Sequence, residues 1–132
     1  MITSVGIVSL LVKNQDEALD FYVNTLGFEK RTDQQMGPNY RWVTISPRGG
    51  STEISLAAAD TPDKAALVGK QHKEYVVMVL FTDDCRRDFA ELSAKGVKFN
   101  GEIRDEPWGL EVVFEDLYGN QIDLVQPRAG PR

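Results

Sequence analysis

The chain is short of the side chains that do most metal and nucleophilic chemistry: its 132 residues contain one cysteine, Cys85, and one histidine, His72. A lone cysteine excludes an intrachain disulfide and fits a reducing compartment. No apolar run approaches the roughly 20 residues a helix needs to cross a bilayer. The opening Met-Ile-Thr-Ser-Val-Gly has no basic segment followed by an apolar one, so no signal peptide is read and a cytoplasmic location is expected. Positive charge is also scarce. Fifteen Lys and Arg stand against 20 Asp and Glu, a net charge of −5. No basic patch is dense enough to neutralise phosphates, which argues against a nucleic-acid partner, and an acidic surface favours cationic small molecules.

What is present is an ordinary globular composition, 42% hydrophobic and 27% charged, long enough for one domain or two small fused modules. The stretch 107–127 organises the rest. Leu110 to Glu115 and Gln121 to Gln126 alternate apolar and polar residues around the turn Asp116-Leu-Tyr-Gly-Asn120, a β-hairpin signal. Alternation sends Leu110, Val112 and Phe114 to one face with Ile122 and Leu124, an apolar surface for a helix to cover. Glu111, Val113, Glu115, Gln121, Asp123 and Val125 take the other face, which suits a solvated cup.

From the start, Val5 to Val12 reads as a buried strand. Asn14-Gln-Asp-Glu17 is a capping-box pattern, Ala18, Phe21, Tyr22, Thr25 and Leu26 recur at helical spacing, and Gly27 stops the helix. Phe28 to Gln35, Tyr40 to Ser46 and Thr52 to Ala57 read as strands separated by Gly/Pro turns. A polar connector follows, with room for one short helix. Tyr75 to Phe81 reads as the clearest buried strand. Asp83 or Asp84 caps a second helix with a Cys85, Phe89, Leu92 stripe, Gly96 ends it, and Val97 to Asn100 begins a strand before the hairpin. The order is strand, helix, three strands, connector, strand, helix, three strands. The halves form a two-copy repeat: Asn14 to Gly27 and Asp83 to Gly96 have equal spacing, and Gly50-Ser-Thr-Glu-Ile-Ser-Leu echoes Gly119-Asn-Gln-Ile-Asp-Leu with one residue of slippage. The expected fold class is α+β: two βαβββ modules with a curved mixed sheet whose polar-mixed face forms a cup-shaped cleft.

Val12-Lys-Asn14, Phe21-Tyr22 with Leu26-Gly27-Phe28, Asp83-Asp84, Lys95-Gly96-Val97 and Phe114-Glu-Asp-Leu-Tyr-Gly-Asn120 with Ile122-Asp-Leu124 together resemble the vicinal oxygen chelate superfamily. That superfamily includes glyoxalase I, extradiol dioxygenases and the fosfomycin- and bleomycin-resistance proteins. The resemblance implies a single domain over 1–132, with module one at 1–57, a connector at 58–74 and module two at 75–127. It also implies a homodimer. Catalytic relatives bind a divalent metal in the cup. Their ligand positions fall here on Ile7, Ser55, Val77 and Asp123, of which two are aliphatic, one is a serine and only Asp123 offers a carboxylate. No metal and no cofactor is expected, since a working site needs about three protein ligands. The bleomycin-resistance relatives, which sequester a cationic drug without the metal, fit better.

The expected function is therefore metal-independent binding of an organic small molecule, a cationic one included. The residues expected to line the cup are Trp108 at its lip, Trp42, Ser55, and Phe81 and Val79 as an apolar floor with Val77. Val113, Glu111 and Asp123 come from the hairpin. Glu53 is expected nearby. Asp123 and Glu111 are also the candidates for acid–base work if burial raises their pKa, against the reading that they are ordinary solvated charges. Alternatives are a lyase, isomerase or dioxygenase-like enzyme with a degenerate metal site, and a non-catalytic interaction module. Arg41, opposite Trp42 by alternation, is read as a surface ion pair, Tyr22 as core and Cys85 as a buried structural thiol. His72 is read as a solvated loop residue.

Overall fold

The computed structural model describes residues 1–72 and 74–128, and the chain divides into two units, Met1–Gln71 and His72–Arg132. The first contains β1 (Ile7–Val12), α1 (Gln15–Leu19), a π-helical continuation (Asp20–Thr25), β2 (Glu29–Gln35), β3 (Arg41–Ser46), β4 (Glu53–Ala58) and α2 (Pro62–Leu67). Its sheet runs β1-β4-β3-β2, with β1 and β4 parallel and the other pairs antiparallel. One face carries Leu10, Val12, Val43, Ile45, Ile54 and Leu56, each at most 5% exposed, and Ala18 and Tyr22 of the helix are fully buried. Asn14 caps α1, its side chain accepting from the Glu17 amide at 2.9 Å, and Gly27 stops it with φ 83°.

The second unit contains β5 (Met78–Phe81), α3 (Cys85–Ala94), β6 (Lys98–Phe99), β7 (Arg104–Glu106), β8 (Gly109–Glu115) and β9 (Gln121–Pro127). Its sheet runs β5-β9-β8-β6, with β7 also on β8 and β5 parallel to β9. The repeat read from sequence is thus a repeat of topology: in each unit the last long strand lies between a parallel first strand and an antiparallel neighbour. Val112, Phe114, Ile122 and Leu124 are buried. Phe99 bridges the helix to this core, with ring centroids 4.6 Å from Phe89 and 5.6 Å from Phe114. Asp84, not Asp83, caps α3, accepting from the Arg87 amide at 3.0 Å. The hairpin turn is held by Asp116, whose Oδ1 accepts from the Tyr118 and Asn120 amides and whose Oδ2 accepts from the Asn120 side chain, all at 2.9 Å. The α+β class is as read from sequence.

Four local expectations are corrected. The stretch 75–81 is not a buried strand: only Met78–Phe81 pairs, and Tyr75, Val79 and Phe81 are 73%, 49% and 63% exposed. β5 is an edge strand, so its continuous apolar run does not mean cover on both faces. The same holds for the start of the first strand, where Val5, Ile7 and Val8 are exposed. The first helix is not α-helical throughout, since Leu26 donates to Phe21 O five residues back; such wide turns leave no mark in residue spacing. Finally, four strands follow α3 rather than three. β7, Arg104–Glu106, has no apolar alternation to announce it.

Candidate functional site

The hairpin register fixes what shares the face opposite the α3 core. Glu111 lies against Val125 and Val113 against Asp123. β5 adds Val79 beside Asp123 and Phe81 beside Val125, and β7 adds Arg104 beside Glu111. Strand alternation therefore brings Glu111, Asp123, Val113, Val79 and Phe81 together on one face of the second unit, as expected. Trp108, 55% exposed, joins them through its indole, whose Nε1 donates to Glu111 Oε1 at 3.2 Å.

The two acids on this face are not solvated charges. Glu111 is 7% exposed and Asp123 9%. Glu111 Oε1 also receives Arg104 Nη2 at 3.1 Å, a cation that balances its charge. Asp123 has no such partner: its Oδ1 is buried without a hydrogen bond among the described residues. Burial first, then the adjacent Glu111 carboxyl, push Asp123 up to about 7, with Arg104 opposing weakly. Two carboxylates cannot hydrogen-bond to each other, so a proton on Asp123 supplies the missing donor toward Glu111. A ligand N–H supplies the same thing. The pair is an acceptor site that either a proton or a ligand donor satisfies.

In the first unit the corresponding positions carry hydroxyls. Ser55, paired with Ser9 and Thr44, is buried, and its Oγ donates to Ser9 Oγ at 3.0 Å. Glu53 accepts from Thr44 Oγ1 at 2.6 Å. Trp42 is half-buried on the same face. Arg41 points the other way into Asp33 and Asp16, each contact 2.8 Å. Cys85 is fully buried, and burial with nearby Asp88 pushes its thiol up rather than down. His72 is exposed.

The donor chemistry does not fit a divalent metal. Ile7 and Val77 have aliphatic side chains and the Ser55 hydroxyl is engaged, which leaves Asp123 as the one carboxylate among the four positions. Among the described residues no three His, Cys, Asp or Glu side chains come together.

Three contacts escaped the sequence reading. Arg104 reaches Glu111 through the unannounced β7. Gln126 Oε1 accepts from the Cys85 amide at 2.9 Å, tying the first turn of α3 to β9. Gln71 Oε1 accepts from the Leu11 amide at 2.6 Å, closing the open edge of β1 with a connector side chain. Only Arg104 had a legible signal, a basic residue a short turn before β8.

Comparison with known proteins gives a consistent result. The family model described as Glyoxalase/Bleomycin resistance protein/Dioxygenase superfamily matches residues 4–124. An uncharacterised protein of Shewanella frigidimarina is 40% identical over 121 residues, 90% of each chain. A crystal structure of a superfamily member from Sphaerobacter thermophilus shares 35% identity over 95% of this chain and 98% of its own, with a TM-score of 0.79. TnmS3, an antibiotic binding protein from Streptomyces sp. CB03234, shares 35% identity over 96% and 98%, with a TM-score of 0.81.

Proposed function

This chain belongs to the glyoxalase/bleomycin resistance protein/dioxygenase superfamily, and from that membership we propose that it is a small-molecule-binding protein. Its ligand is organic, carries a cationic or hydrogen-bond-donating group, and is held without a metal. The observation that carries this reading is the Asp123 carboxyl, nine-tenths buried with an unpartnered oxygen, on a face walled by Val79, Phe81, Val113 and Trp108. An ammonium that reaches the pair replaces the proton directed toward Glu111 and finds an indole for its apolar part. The antibiotic binding described for TnmS3 supports the class of function. The same reading takes the protein to be a cytoplasmic homodimer.

The test compares benzylamine with benzyl alcohol by tryptophan fluorescence and calorimetry at pH 8, above the titration of Asp123. Benzylamine is expected to bind more tightly by about tenfold or more, the worth of a charged hydrogen bond. Asp123→Asn and Glu111→Gln should each erase that preference. Equal affinity of the two compounds for the natural chain rejects the proposal.

A second reading is supported by the same carboxyl. A group that keeps its proton to about 7 can donate it to a bound substrate, so Asp123 also suits general-acid chemistry of a lyase or isomerase. Calorimetry separates the two: binding gives heats that saturate, whereas turnover gives continuous heat that Asp123→Asn abolishes.

A further inference from the structure

A second recognition feature lies wholly within the first unit. β3 and β4 are paired only at Thr44/Ser55 and Ile45/Ile54. Continuing that register would set Trp42 against Ala57, but the strands have parted there. The gap is bridged by a side chain: Gln15 Nε2 donates to Arg41 O and to Leu56 O, both at 2.9 Å. Two hydrogen bonds from the start of α1 thus span the separation. It opens a hollow of about 190 Å³, lined on the sheet side by Trp42, Ser55 and Ala57 and flanked by Tyr40.

The shape and charge of this hollow define an occupant. Tyr40, just before β3, and Trp42 within it both line the hollow, while on Trp42's face of β4 stand only a hydroxymethyl and a methyl, Ser55 and Ala57, with Leu56 and Ala58 from the other face completing the lining. Large flat walls beside small residues make a slot. An apolar cavity of about 150 Å³ accepts benzene, so 190 Å³ has room for one ring with a second fused or substituted. The charges around it are already matched. Lys64 holds Asp60 at 2.9 Å, and the Arg41 guanidinium is occupied by Asp33 and Asp16. Among the described lining residues no unbalanced charge remains to attract an ion, while the amides of Asn39 and of Gln35, one N–H of which already donates to Gly37 O at 2.6 Å, line the same hollow.

We propose that the hollow between the parted ends of β3 and β4 is a binding site for a neutral, planar one- or two-ring compound bearing a carbonyl or hydroxyl oxygen. The ring lies against Trp42 and above Ala57, with its oxygen toward the Gln35 and Asn39 amides. This site differs in chemistry from the carboxyl face and stands independently of it, because it uses neither Glu111, Asp123 nor Trp108.

The test uses coumarin, a neutral fused-ring lactone, and the two indole N–H signals in a ¹⁵N-correlated NMR spectrum, assigned with Trp42→Phe. Titration is expected to shift the Trp42 signal saturably and leave Trp108 in place. Ala57→Leu fills the slot and should abolish the shift. Tyr40→Ala, at an exposed position that the fold does not need, should weaken binding by about threefold or more, the worth of one aromatic wall. The Tyr40 variant keeps the test decisive if the Ala57 variant does not fold. An unmoved Trp42 signal at millimolar coumarin overturns the proposal. So does an equal shift of Trp108, or binding that survives both variants. Coumarin uses a different reporter indole from benzylamine, so failure of one site is read separately from failure of the other.

Discussion

Asp123, the residue our proposal rests on, also carries a stability prediction. Its carboxyl titrates at about 7 in the folded chain against an ordinary 3.8. Between those values the folded state keeps a proton that the unfolded state has released. Stability attributable to this group therefore falls as pH rises from about 4 to 7 and is level above that. Asparagine mimics the protonated acid and still donates toward Glu111. Asp123→Asn is expected to match the natural chain in urea unfolding at pH 4.5 and to exceed it by about 1–3 kcal/mol at pH 8. A constant difference across that range would mean that Asp123 ionises freely in the folded protein. The sequence put Glu111 and Asp123 on one face, because strand alternation and a marked turn are enough for that. It left open whether they are solvated. Their burial depends on Arg104, Trp108 and β5, which arrive from 7, 3 and 44 residues away along the chain, respectively, by register.

Elements succeed where local rules and distant contacts agree. The β8–β9 hairpin is legible because Asp116, Gly119 and Asn120 make its turn almost self-contained. Its far end depends on Gly109, which no turn pattern marks. There the backbone has φ 147°, and a Cβ would lie 2.1 Å from Gln126 O across the ladder. Gly109→Ala must push β8 from β9 just where Arg128 N donates to Trp108 O at 2.9 Å. Urea denaturation should show a loss of about 2 kcal/mol or more, with a changed Trp108 emission. A neutral substitution would show that the strand ends separate freely. The π-helical stretch is the converse case. Leu26 bonds to Phe21 rather than to Tyr22, and Tyr22 is buried with its ring 5.3 Å from Phe21 and 5.6 Å from Phe28. The apolar spacing is compatible with either winding, so only packing around the tyrosine selects it.

At the scale of the whole chain, one topology is used twice with different chemistry. Where the first unit places Ser55 between Ser9 and Thr44, the second places Asp123 between Val79 and Val113. Each unit also has an edge strand with exposed apolar residues, Ile7 and Val8 at 45% and Val79 and Phe81 at 49% and 63%. Gln71 covers part of the β1 edge, but exposed apolar side chains on both edge strands still favour association, which supports the homodimer in our proposal. Sedimentation equilibrium at micromolar concentration should give twice the 14.8 kDa of the chain, and Val8→Lys should shift the mass toward that of a monomer; a monomer at every concentration removes the dimer from the proposal. The helix stops, the two-faced hairpin and the element order apart from β7 were fixed by the amino-acid order alone, since each follows from spacing and turn chemistry over a few residues. The buried charge, the parted strand ends bridged by Gln15 and the exposed face of β5 were settled only on folding. Each depends on which distant groups stand nearby, and that governs desolvation and hydrogen bonding.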